Sequence, residues 1–282
     1  MVAMTPLASL TSPTGQAVFA ETVEAHAFDV RTTHASDAAR DGLGLAATRL
    51  GGASVLSARL DPSGQWSRVV GLGVTEPVTP ALVDEVIGFY RAQGTPTALL
   101  AVAPPLLPED WDEIRAAHGL EPARMGLKLG APIDDLRTDA RTDLRVTRLD
   151  EEEAAEAAYM VARTIGMEHP GIVAFLASGA RTPGTQVFGA WDGERLVATG
   201  SLFVHGAAAS LKTGVTALTH RGRGAQSALV AARIEAARAA GAQWVGAESD
   251  QAAPGEHNPS TANLERAGLR VLYARQDWRW RA

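Results

Sequence analysis

Three apolar-rich segments follow one another at residues 185–191, 194–204 and 208–218 and read as strands. Asp192-Gly193 and His205-Gly206 are the turns between them, and Asp-Gly is a strong hairpin signal. The pattern then changes period. Leu229, Val230, Ala232, Arg233, Ile234, Ala237 and Ala240 recur at helical spacing, and Gly241 ends the helix. A short strand is predicted over 243–248. Asn258-Pro259-Ser260 opens another helix, with proline in its first turn, and Gly268 stops it. Residues 271–280 read as a last strand. Ahead of the meander, a strand over 144–148 leads into a helix over 150–163. Asp150 is its expected N-cap, and Glu151, Glu152 and Glu153 favour the positive helix end.

The first half carries a second copy of this pattern. Leu82-Val83, Ile87, Arg91-Ala92 and Gly94 match Leu229-Val230, Ile234, Arg238-Ala239 and Gly241 at one constant offset, with no gap. A strand over 97–102, a helix over 109–118 ended by Gly119 and a strand over 125–129 then repeat the order seen after Gly241. Shared identities and shared element order together indicate an internal repeat.

The composition suits two domains of ordinary size. The chain has 282 residues, 46% of them hydrophobic, enough to bury two cores. No stretch is long and apolar enough to cross a membrane, and the first residues lack a basic-apolar leader. The cytoplasm is therefore the expected location. The absence of cysteine excludes disulfides, thiolate metal sites and a cysteine nucleophile. A net charge of −6 and a pI near 5.7 argue against nucleic acid as a partner. No membrane partner and no metal are expected.

The chemistry concentrates in Arg221-Gly222-Arg223-Gly224-Ala225-Gln226, between the third strand and the long helix. A glycine-rich turn opening a helix leaves backbone N–H groups unpaired at the positive end of the helix dipole. Such a turn cradles phosphate, and adjacent arginines add charge-assisted hydrogen bonds. The spacing fits neither a P-loop nor a G-x-G-x-x-G dinucleotide loop. The pattern Arg-x-x-Gly-x-small, set between a three-strand meander and the order helix, strand, helix, strand, resembles the GNAT superfamily of acyl-CoA-dependent N-acyltransferases. This match covers about half the chain. The resemblance implies an α/β fold of α+β type. Two tandem GNAT-like domains are expected, each a mixed, mostly antiparallel sheet flanked by helices.

The resemblance also assigns roles. Arg221 and Arg223 would lie near the phosphates of acetyl-CoA or another acyl-CoA, with Gly222, Gly224, Ala225 and Gln226 completing the loop. Val215, Thr216 and Ala217 would pair with the pantetheine amides. Glu168 and His169, in the link before the second helix, are candidate acceptor ligands. Glu248, with Asp250 beyond it, follows the strand after the loop and is the preferred general base. His220, beside Arg221, is a further candidate.

The sequence departs from the family pattern in two places. Gln226 occupies a position expected to be small, so its side chain must turn away from the cofactor or hydrogen-bond it. Leu264 stands four residues before the glycine that ends the last helix, where many GNAT enzymes carry a tyrosine acid. The chain has only three tyrosines, Tyr90, Tyr159 and Tyr273. Asn258, Ser260 or Asn263 are left to assist the leaving thiolate, and Asn258 also reads as a plain helix cap.

In the first copy Val74-Thr75-Glu76-Pro77 take the place of the loop. They lack glycine, carry the wrong charge at Glu76 and lose an N–H at Pro77. The expected division is a flexible tail over 1–15, a degenerate GNAT-like domain over 16–135, a linker over 136–142 and an acyl-CoA-binding domain over 143–282. The expected activity is acyl transfer, most simply acetyl transfer, directly to an amine of a small-molecule acceptor. A homodimer is compatible with this reading. A catalytically silent CoA-binding protein and an interaction scaffold without the cofactor remain as alternatives.

Overall fold

A computed structural model describes residues 10, 12–253 and 255–282. The chain forms two compact units, one of residues 1–127 with 272–282 and the other of residues 128–271. Residues 1–9 and 11 of the expected tail lie outside the described residues. Residues 13–15, expected in the tail, are helical instead, because a helix begins at Pro13 with Ser12 Oγ accepting from Gly15 N at 3.0 Å.

The first unit begins with α1 (Pro13–Thr33), α2 (Asp37–Leu43), β1 (Leu45–Leu50), β2 (Ala53–Ala58) and β3 (Arg68–Leu72). It continues through α3 (Pro80–Ala92), β4 (Thr97–Val102), α4 (Trp111–Ala117) and the start of β5 (Glu121–Pro132). The pairs β1–β2 and β2–β3 are antiparallel, and β3–β4 is parallel. Beyond β4 the sheet continues with β11 (Arg270–Arg281), antiparallel from Asp277↔Ala101 to Arg281↔Thr97. The sequence division kept this last strand with the second domain, whereas its residues 272–282 belong to the first unit. The physical reason is side-chain burial. Trp280 is 2% exposed within the core of Val69, Ile87, Tyr90 and Leu100, and it stacks on Tyr90 with ring centroids 6.0 Å apart. Arg275, also buried, pairs with Glu21 of α1 at 2.7 Å and with Glu24 at 2.6 Å.

The start of α3 explains why this copy has no cradle. Thr79 Oγ1 accepts from Leu82 N at 3.2 Å and Pro80 occupies the first turn, so the helix start is capped. The β3–β4 ladder, after a register shift between Val69 and Leu72, is still paired at Leu72↔Val102, the last residue of each strand.

The second unit contains residues 128–132 of β5, then β6 (Arg145–Arg148), α5 (Glu151–Thr164), α6 (Pro170–Ala177) and β7 (Thr185–Asp192). After these come β8 (Arg195–His205), β9 (Ala208–Thr216), α7 (Ala225–Ala239), β10 (Trp244–Asp250) and α8 (Pro259–Arg266). Strands β6 to β9 form an antiparallel meander, β9 and β10 are parallel, and β5 borders β10. Each element predicted from 144 to 268 is present, with ends shifted by a residue or two. Asp150 caps α5 through a full capping box with Glu153, worth about 1 kcal/mol. Helix α7 buries Leu229, Val230, Ile234 and Ala237, the stripe that its sequence spacing predicts.

Candidate functional site

The ladder between β9 and β10 stops before its strands do. Pairing runs from Trp244↔Ala208 to Ala247↔Leu211, yet β9 continues to Thr216 and β10 to Asp250. The strands part, and a cavity of about 670 Å³ opens between them over the start of α7. A bulge bends β9 at the parting point. Thr199 faces Val215 and Ser201 faces Lys212, so Thr213 and Gly214 together oppose Gly200. Thr213 holds φ +54°, unusual for a branched residue, and its hydroxyl lies 2.6 Å from Ser201 Oγ. Past the bulge, Ala217 N donates to Val197 O at 2.8 Å. By the alternation of an antiparallel ladder, Val215 and Ala217 turn their backbone groups to β8, which leaves those of Thr216 directed to the cleft.

The loop after β9 presents a bare helix start. Gly224 is the N-cap of α7 at φ +76°, and no side chain caps the helix. The first main-chain bond is Ala228 N to Gly224 O at 3.0 Å, so the preceding N–H groups of Ala225, Gln226 and Ser227 precede the helical ladder. A Cβ on Gly224 would collide with Arg141 O, so glycine is required there by space as well as by φ. Charge reinforces the dipole. Lys212, Arg221, Arg233 and Arg266 line the cavity against one carboxylate, Glu248. That carboxylate is itself 2.6 Å from the buried Lys128 ammonium. In a chain of net charge −6, this concentration of cations makes the cavity electrostatically favourable to an anion.

The two arginines of the loop take different directions. Arg221 faces the cavity and is exposed. Arg223 lies outside the cavity lining and grips Asp143, and also Asp192 at 2.6 Å, while Thr142 Oγ1 donates to Arg223 O at 2.7 Å. Hydrogen bonds donated to Asp192 and Asp143 hold the Arg223 guanidinium above its ordinary range, and Arg223 in turn holds both carboxyls below theirs. Arg223 therefore braces the loop through its side chain. His220 lines the cavity with Nε2 3.3 Å from Asp192 Oδ2 and Nδ1 2.8 Å from Thr219 Oγ1.

Gln226 resolves the first departure from the family pattern. Its Nε2 donates to Val215 O at 2.6 Å, Thr216 Oγ1 at 3.1 Å and Thr199 O at 3.3 Å, tying α7 to the bulged strands. Leu264 lines the cavity wall at 6% exposure, and no tyrosine is among the described lining residues. Asn258 caps α8. Its Oδ1 accepts from Ser260 N at 2.8 Å and its Nδ2 donates to Asp250 O at 2.6 Å.

Of the residues singled out from sequence, Val215, Thr216, Arg221, Gly222, Gly224, Ala225, Gln226, Glu248 and Asn258 meet around the cavity. Ala217, Arg223, Glu168 and His169 are not in its lining. Glu168 accepts from Tyr159 Oη at 3.3 Å, and His169 caps α6 by accepting from Gly171 N at 3.2 Å. Sequence reasoning missed Lys212, Arg266, Arg233 and the Lys128 partner of Glu248. Arg233 did leave a signal, as a charged residue on an otherwise apolar helical stripe.

A mixed sheet whose parallel central pair splays over a bare, glycine-capped helix start defines the GNAT fold. Solved structures agree. The chain is similar to a GCN5-related N-acetyltransferase from Kribbella flavida, at 17% identity over 87% of this chain and 96% of that one, with a TM-score of 0.59. It is similar also to a tandem GNAT protein from the clavulanic acid biosynthesis pathway, at 17% identity over 83% and 81% of the two chains, with a TM-score of 0.58. A GCN5-related N-acetyltransferase from Sphaerobacter thermophilus gives 16% identity, 86% and 84% coverage and a TM-score of 0.56. No family model and no curated protein matches the sequence.

Proposed function

We propose that the second unit binds an acyl-CoA, most simply acetyl-CoA, and transfers its acyl group directly to the amine of a small molecule. The observation that carries this reading is the uncapped start of α7 opening on a cationic cleft between parting strands. The N–H groups of Ala225, Gln226 and Ser227 receive the phosphates, with Arg221 beside them. The cleft-facing backbone of Thr216 pairs with the extended arm of the ligand. A thioester bound there supplies an activated carbonyl and a thiolate leaving group. Glu248 takes the proton from the incoming ammonium, directly or through water, and Lys128 keeps its carboxylate oriented.

A catalytically silent CoA-binding protein is the second reading, favoured by Leu264 at the wall and by the commitment of Glu248 to Lys128. Calorimetric titration with acetyl-CoA tests both. A micromolar dissociation constant, about −8 kcal/mol, that weakens at least tenfold in Arg221→Glu places the ligand on the loop. Gly224→Trp is a poor control, because the clash with Arg141 O would disturb the fold. Thiol release across an amine panel then separates enzyme from silent binder, with no cysteine background in the chain. No binding at millimolar acetyl-CoA sinks both and leaves a scaffold.

A further inference from the structure

Arg233 is a buried cation whose hydrogen bonds leave one arm of the guanidinium unused. The residue is 2% exposed, yet it lines the cavity. Its Nε donates to Leu229 O at 2.9 Å, one turn back along α7. Its Nη1 donates to Ser201 O and Lys212 O, each at 3.2 Å, the carbonyls beside the bulge. Nη2 has no hydrogen-bond partner, and the guanidinium no carboxylate partner, among the described residues. Space has been cleared for this group from the strand side. A Cβ on Gly200 would lie 2.7 Å from Cζ and 3.0 Å from Nη2, and a Cβ on Gly214 would lie 3.9 Å from Nη2. Both glycines sit in strands, where the residue type is otherwise unfavourable.

A guanidinium taken out of water without a counter-charge is destabilising, and an added carboxylate relieves it through a charge-assisted hydrogen bond. Burial lowers the pKa of Arg233 to about 10, so it remains a cation at neutral pH. Its position along the cleft suggests which part of a ligand it meets. The bonds to Ser201 O and Lys212 O set the guanidinium at the inner end of the parted strands, next to the last pair Ala247↔Leu211 and five residues of β9 away from Ala217 at the loop. Lys212 of the same bulge adds a second cation to this region of the lining.

We propose that the cleft selects a donor whose acyl chain ends in a carboxylate, a dicarboxylic acyl thioester, and that Arg233 Nη2 receives this carboxylate. The proposal rests on the acyl-CoA reading. Calorimetric titrations of the full chain with succinyl-CoA and butyryl-CoA compare equal chain lengths with and without the charge. Succinyl-CoA is expected to bind at least tenfold more tightly, about 1.4 kcal/mol, and the difference is expected to vanish in Arg233→Met. Equal affinity of the wild-type chain for both thioesters overturns the proposal and leaves acyl-CoA binding standing, and it needs no variant to fold. Binding of neither overturns both readings. A preference that survives in a folded Arg233→Met chain removes Arg233 from the role. Equal thioester affinities together with selection of an amino acid over its decarboxylated amine would assign the carboxylate to the acceptor instead, and would equally overturn the proposal.

Discussion

Tyr90 shows how far residue identity alone can mislead. It is one of three tyrosines in a chain whose fold class often uses tyrosine as an acid, yet it is fully buried in the first unit. Its hydroxyl has no hydrogen-bond partner among the described residues, and burial pushes its pKa well above the ordinary tyrosine value. Tyr90→Phe removes an unsatisfied polar group and keeps the ring stacked on Trp280. The variant should match or exceed wild-type stability, by up to about 1 kcal/mol, in urea unfolding. A loss above that size would show that the hydroxyl has a partner. The loop makes the same point with charge. Adjacent arginines were legible as an anion signal, but Arg221 and Arg223 point to different partners, and composition cannot tell them apart.

The start of α7 is where element and chemistry meet. Its glycine cap was legible, because only a backbone free of Cβ tolerates the φ and the approach of Arg141 O at Gly224. The brace on Arg223 was not, since Asp143 and Asp192 are distant in sequence. Both carboxyls titrate below their ordinary value of 3.8, chiefly through Arg223. A depressed carboxyl pKa stabilises the folded chain at pH above 3.8, and that contribution is lost as the pH falls through the lowered values. The thermal midpoint of Asp143→Asn/Asp192→Asn should therefore fall below wild type at pH 7 and converge with it in acid. A gap that persists at the lowest pH where the chain folds would remove the brace as its cause. Both groups are exposed, so added salt should also narrow the gap. Helix α1 was illegible for a different reason. It buries Glu21 beside small alanines, and a carboxylate inside a helix reads as solvent-facing until Arg275, at the other end of the chain, is seen beside it.

At the scale of the whole molecule, the two copies of the pattern differ at the start of their long helix. Helix α3 is capped by Thr79 and led by Pro80, and β3 and β4 are paired again at Leu72↔Val102 after a register shift, whereas α7 is bare and β9 parts from β10. Acetyl-CoA should accordingly bind with a stoichiometry of one per chain by calorimetry. A value of two would contradict the reading of the first copy as disarmed. By itself, the sequence determined the element order of the second half, the class of fold and the glycine-led start of α7. Those features depend on periodicity, glycine geometry and proline, which act within a few residues. Tertiary structure alone decided that residues 272–282 belong to the first unit, that Arg223 braces while Arg221 faces the cleft, and that Arg233 lies buried in the wall of the cavity. Each depends on which distant side chain or strand edge satisfies a charge or a backbone group, and that pairing is settled only when the chain folds.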